Sequence, residues 1–182
     1  MNKTLKMFVT FSAVLSMAVC ISGCSSGEST DSAGANVKKV KINIEDIAWN
    51  VDEGIVDGDR YVILDYTNNT KYTLTDFEIT FKEKADVTEE EKAQFCSDIE
   101  NAYDISEEDM EEIRSRSISM HAETNRVIDP GESVSNVNCY YYSGSFYLKD
   151  INHYNLVEPD IATVKYIDED KIFTVYSDYG SK

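Results

Sequence analysis

From Val37 onward the apolar residues recur at alternate positions, and that period of two commits most of the chain to strands with one buried face. Val40, Ile42 and Ile44 alternate with Lys39, Lys41 and Asn43. Arg60 to Thr67 sets Val62, Leu64 and Tyr66 on one face, and Tyr72 to Lys82 lines up Phe77, Ile79 and Phe81. Asn68-Asn69-Thr70-Lys71 reads as the turn between them, so these two strands are predicted to form a hairpin. Ser117 to Ala122, Ser133 to Tyr142 and Ser145 to Leu148 read as further strands, with Asp129-Pro130-Gly131-Glu132 as a turn. Ala162 to Ile167 and Lys171 to Ser177 close the chain as a second hairpin around Asp168-Glu169-Asp170. Short strands separated by turn signals predict a mainly β fold, an immunoglobulin-like β-sandwich.

One stretch changes period. Residues 83 to 112 hold 13 of the 34 acids. Thr88-Glu89-Glu90-Glu91 is a capping box, and Phe95, Ile99 and Ala102/Tyr103 follow at helical spacing. Ser106 is a second N-cap signal, with Glu107, Glu108 and Asp109 at the positive end of the dipole and Ile105 and Met110 placed as a hydrophobic staple. Two short helices, over 88 to 102 and 106 to 115, are therefore predicted within an insert at about 86 to 116.

The N-terminal end reads as an address. Lys3 and Lys6 precede Met7 to Ile21, which carries no charge, and Ser22-Gly23-Cys24-Ser25-Ser26-Gly27 follows. A short positive region, an apolar stretch and a small-residue cleavage site are the parts of an export signal, and the apolar stretch is short for a membrane span. Ile21-Ser22-Gly23-Cys24 resembles the lipobox of bacterial prolipoproteins. That resemblance implies removal of residues 1 to 23 and a diacylglyceryl thioether on Cys24, with enough acyl chain for stable anchoring. The expected organisation is a signal peptide over 1 to 23, a lipidated cysteine and flexible linker over 24 to 36, and the sandwich over 37 to 182. Ser25 to Asn36, rich in Ser, Gly and Ala, spans about 19 Å as a coil.

Charge excludes one class of partner. The full chain has 17 basic and 34 acidic residues, a net charge of -17. Loss of Lys3 and Lys6 leaves 15 basic against 34 acidic, or -19. Nucleic-acid binding begins with Lys and Arg on phosphates, so no nucleic acid is expected as partner. The same charge repels an anionic bilayer, so the membrane is expected as a partner only through the lipid anchor.

The run Tyr61-Val-Ile-Leu-Asp-Tyr-Thr-Asn-Asn-Thr70, then Phe77-Glu-Ile-Thr-Phe81 and Asp129-Pro-Gly-Glu-Ser133, is similar to immunoglobulin-like domains of the FxLYD kind. Those occur in envelope lipoproteins of Gram-positive bacteria. The resemblance spans about 37 to 82 and 126 to 177, and the acidic helical insert departs from it. It implies an extracytoplasmic accessory or binding domain and names no ligand.

Candidate chemistry is sparse. His121 falls within a predicted strand and His153 in an Asn-His-Tyr-Asn loop, and both read as surface or packing residues. No nucleophile elbow, HExxH, glycine-rich phosphate loop or paired-cysteine metal motif is present, so neither catalysis nor a cofactor is expected. The stretch from Asp52 to Asp59 and Asp168-Glu169-Asp170 read as oxygen-rich loops, but neither has EF-hand spacing, and no metal site is expected from them. Cys96 and Cys139 admit two readings. A disulfide between them would staple the insert to the sandwich at roughly 4 kcal/mol of chain entropy, while two buried thiols would serve as small hydrophobes. Tyr140, Tyr142 and Tyr147 are the candidate binding surface, for a protein or carbohydrate partner. Alternation places Tyr140 and Tyr142 on one face and Tyr141 on the other.

The expectation is a membrane-anchored, extracytoplasmic, non-catalytic binding or accessory module. The alternative is a small envelope enzyme acting on cell-wall polymer, which a deep cleft with two or more converging carboxylates and a His would favour.

Overall fold

In the computed structural model, residues 42–141 and 146–179 are described. The segments expected to be a signal peptide and a linker, with Cys24, and also Val40 and Tyr142, lie outside the described residues. The chain from 42 onward forms nine strands and two helices among the described residues, within the compact unit Lys38–Lys182.

Strands β1 (Ile47–Val56), β2 (Asp59–Asn68) and β5 (Ser133–Asn138) make one antiparallel sheet in the order β1-β2-β5. The other contains β3 (Leu74–Glu83), β4 (Ser119–Thr124), β6 (Tyr140–Tyr141), β7 (Phe146–Tyr147), β8 (Val157–Asp168) and β9 (Lys171–Asp178). Its order is β7-β6-β4-β3-β8-β9. The two sheets pack as a sandwich. The pairings β1-β2-β5 and β3-β8-β9 follow the A-B-E and C-F-G neighbours of an immunoglobulin-type domain.

The core is built from the alternating faces. Val62, Leu64 and Tyr66 of β2 meet Phe77, Ile79 and Phe81 of β3, all six no more than 2% exposed. The Tyr66 and Phe77 rings lie 4.8 Å apart across the sheet interface, and Trp49 meets Phe81 edge-on at 5.6 Å. Burying each such side chain is worth on the order of 1.5–3 kcal/mol.

Four local expectations are corrected. Strands β2 and β3 are not a hairpin: they lie in opposite sheets, and residues 69–73 cross between them. Each strand already has two other neighbours, so turn residues at Asn68-Asn69 mark a change of sheet instead of a tight reversal. The stretch from Asp52 to Asp59 is no acidic loop. It is the end of β1, a two-residue turn at Asp57 (φ 54) and Gly58 (φ 94), and the start of β2. Ile44 opens a 3-10 turn, Ile44–Asp46, and is buried there instead of extending a strand. Finally, Ser133 to Tyr142 is not one strand. The chain changes sheet at Cys139, whose amide donates to the Val62 carbonyl (2.9 Å) and whose carbonyl accepts from the Leu148 amide (2.9 Å).

The closing hairpin forms where predicted, with Asp168 opposite Lys171 and both turn residues, Glu169 (φ 49) and Asp170 (φ 60), left-handed. The helical insert lies between β3 and β4. Helix α1 (Glu89–Ala102) starts at the reciprocal cap: the Glu91 amide donates to Thr88 Oγ1 (3.2 Å) and the Thr88 amide to Glu91 Oε2 (2.8 Å). Helix α2 (Glu107–Ser115) starts at Ser106, whose Oγ accepts from the Asp109 amide (3.2 Å). Phe95, Ile99, Met110 and Ile113 are buried, so the stripe that predicted these helices is also what seats them on the sandwich. Ala102, at the end of that stripe, is exposed.

Candidate functional site

Two of the three tyrosines read from the sequence as a binding surface come together. Tyr140 and Tyr147 are directly paired across β6 and β7. They line a groove of about 410 Å³ with Glu123, Arg126, Ser135 and Asn136, among others. The groove runs between β5, at the edge of the smaller sheet, and the β4-β6-β7 edge of the larger one. Tyr141, the intervening residue, points the other way into the core at 1% exposure, as strand alternation requires.

Each groove residue is held by its neighbours. The Tyr140 ring stacks on His121, centroids 5.6 Å apart and planes within 10°. Burial, and then the carboxylate of Glu123 that accepts from its hydroxyl, pushes the Tyr140 phenol up to about 12. Tyr140 is therefore a neutral donor and apolar face at any physiological pH. Tyr147 is 44% exposed, meets Tyr61 edge-on at 5.9 Å, and its carbonyl accepts from Tyr103 Oη (2.5 Å). Lys149 Nζ sits over both the Tyr61 (6.0 Å) and Tyr103 (5.2 Å) rings, which extends the aromatic ridge away from the groove. Asn136 takes a left-handed conformation (φ 61), its amide donating to Asp65 Oδ1 (2.8 Å) where β2 and β5 slip register. Asn138 Oδ1, on the same wall, is shielded from solvent and has no hydrogen-bond partner among the described residues.

A second cluster has no counterpart in the sequence reading. Asp98 of α1 and Asp150 and His153, at the start of a 3-10 turn Ile151–Leu156, place ligand atoms within 4.8 Å of one another. His153 is 6% exposed, its Nε2 is 3.1 Å from Asp98 Oδ2, and its ring meets Phe95 edge-on at 4.8 Å. No spacing rule could have found this trio, because 55 residues separate Asp98 from His153 and only packing of the insert joins them. The signal that was available was local: Asp150 is the N-cap of the turn, accepting from the Asn152 amide (2.9 Å).

Cys96 and Cys139 are both free thiols. Cys139 is fully buried, and burial pushes its thiol up to about 12. Cys96 is half-buried on the wall of a smaller groove, about 320 Å³, between α1 and α2, beside Lys92, Glu100 and Arg114, and burial raises its thiol as well. The oxygen-rich turn at 168 to 170 is a hairpin connection, and His121 is a strand residue stacked on Tyr140.

Comparison with protein-family models, with curated proteins and with solved structures finds no match.

Proposed function

We propose that the chain is a lipid-anchored, extracytoplasmic binding module of the bacterial envelope, and that the groove beside Tyr140 and Tyr147 is its ligand-binding face. The observation that carries the binding reading is the groove itself. Two tyrosines, one exposed and one pinned, stand beside a carboxylate, a guanidinium and short polar side chains in a channel of about 410 Å³. Aromatic faces flanked by such groups recognise sugar rings or extended peptide, and the partner is accordingly a glycan or a protein segment. The lipobox-like run ending at Cys24 and the similarity to FxLYD-type domains support the anchored setting.

The rival, a cell-wall hydrolase, needs carboxylates facing a substrate cleft. The converging carboxylates and histidine, Asp98, Asp150 and His153, line neither the tyrosine groove nor the α1-α2 groove, and the tyrosine groove holds a single carboxylate, Glu123. Crosslinking on intact cells followed by mass spectrometry tests the module directly. The expected partner is lost with Tyr147→Ala plus Arg126→Ala, and an unchanged partner profile would remove the groove from the reading. Radiolabelled palmitate tests the anchor: label on the wild type and none on Cys24→Ala is expected, and label persisting in the variant would refute lipidation at that residue.

A further inference from the structure

We propose that Asp98, Asp150 and His153 form a binding site for one divalent transition-metal ion of the zinc class, which ties helix α1 to the sandwich. The three ligand atoms already lie within 4.8 Å of one another. His153 Nε2 and Asp98 Oδ2, 3.1 Å apart, are close to the roughly 3.3 Å expected between two ligands on a tetrahedral ion with bonds of about 2.05 Å. Asp150 completes the set by a side-chain adjustment at the mouth of its turn.

Part of the supporting shell is in place. Asp98 Oδ1 accepts from Gln94 Nε2 (2.8 Å), and Asp150 Oδ1 accepts from the Asn152 amide (2.9 Å). Asp98 thus has one oxygen oriented by an outer partner and the other on His153, and Asp150 is oriented by its own turn, the kind of support that positions metal-bound carboxylates. His153, 6% exposed and held by Phe95, presents Nε2 to Asp98 while Nδ1 is shielded and, among the described residues, without a hydrogen-bond partner. Among the described residues, no Lys or Arg forms an ion pair with Asp98 or Asp150. Two carboxylates converge on a histidine without a permanent cation between them, and a divalent ion supplies that charge.

The donor set selects the class of ion. One imidazole nitrogen and two carboxylates suit zinc or its neighbours with water as fourth ligand, whereas calcium wants six to eight oxygens. When the metal takes the Nε2 lone pair, the hydrogen shared with Asp98 leaves that nitrogen and the neutral ring carries its proton on Nδ1. Nδ1 has no acceptor there, so affinity falls below that of closed cysteine-rich sites. Such an ion would link α1 to the segment ahead of β8.

The test is titration of the chelator-stripped full chain with Zn²⁺ by calorimetry and with Co²⁺ by visible absorption. One ion per chain is expected, with the spectrum of a four-coordinate nitrogen-oxygen site and no thiolate charge-transfer band. Asp98→Asn and Asp150→Asn keep the hydrogen-bonding shape of the cluster, so circular dichroism should be unchanged, and together they should weaken binding at least about 100-fold. Unchanged affinity in the double variant, a thiolate band, or uptake no tighter than that of Ca²⁺ by this acidic chain would each overturn the proposal. The site is separate from the tyrosine groove, so its failure leaves the binding-module reading standing.

Discussion

The carbonyl of Asn68 accepts a hydrogen bond from the amide of Gly131 at 2.7 Å, and the Asn68 amide donates to the carbonyl of Glu132 at 2.9 Å. The Asn-Asn-Thr run and the Asp-Pro-Gly-Glu run are therefore one structural unit. Gly131 is left-handed (φ 84), which turns its amide back toward β2. The Asn68 side chain, fully buried, completes the unit. Its Nδ2 donates to the carbonyls of Tyr72 (2.8 Å) and Ile128 (3.3 Å), and its Oδ1 accepts from the Thr70 amide (3.0 Å) and hydroxyl (2.7 Å).

Replacing Asn68 by Ala takes the acceptor from the Thr70 amide and one of two donors from the carbonyls of Tyr72 and Ile128, at the point where the chain changes sheets. A loss of about 3 kcal/mol is expected from equilibrium urea denaturation. A loss below about 1 kcal/mol would show that water replaces the amide there.

Phe95 joins the insert to the sandwich, its ring edge-on to Tyr141 at 5.0 Å and to His153 at 4.8 Å. Phe95→Ala should cost about 3–5 kcal/mol and release the insert first. Hydrogen exchange is the readout, with protection lost in α1 and α2 before β8 and β9.

The two thiols should differ in reactivity. Cys139, buried and with its thiol pushed up to about 12, should resist alkylation until the protein unfolds, while Cys96 reacts slowly in the native state. Mass measurement with and without reductant checks this. A mass insensitive to reductant and two alkylations after denaturation are expected among these two residues.

Stability should fall in alkali. Tyr140 ionises at its ordinary 10.0 in the unfolded chain and at about 12 in the native one. Between those values only the unfolded state releases the proton, so the native state loses stability as pH rises through that window and none of it below. Cys139 acts in the same direction. Tyr140→Phe should flatten the decline measured by urea midpoints in alkali, and an unchanged slope would assign it elsewhere.

The β8-β9 turn carries strain that can be relieved. Asp170 is left-handed (φ 60) without being glycine. Asp170→Gly should raise stability by about 0.5–1 kcal/mol, seen as a higher melting temperature.

Residue order alone determined the period of β2, β3 and α1, and with it which side chains face inward: Val62, Leu64 and Tyr66, Phe77, Ile79 and Phe81, and the Phe95-Ile99 stripe behind its capping box. Those are local properties, set by the rise per residue of a strand or helix and by caps three residues long. It also put Tyr140 and Tyr147 near each other, because a short connection brings them into register. Which strands become neighbours was legible for the closing hairpin of β8 and β9 and not beyond it, because alternation orients a face without naming what covers it. So β2 and β3, adjacent in the chain, lie in opposite sheets, and β5 and β6 part at Cys139. The Asp57-Gly58 turn did carry a local signal, obscured by the acids around it. Only tertiary packing decided that Asp98 meets His153, since that contact depends on the seat of α1 against the segment ahead of β8 and on nothing within either segment.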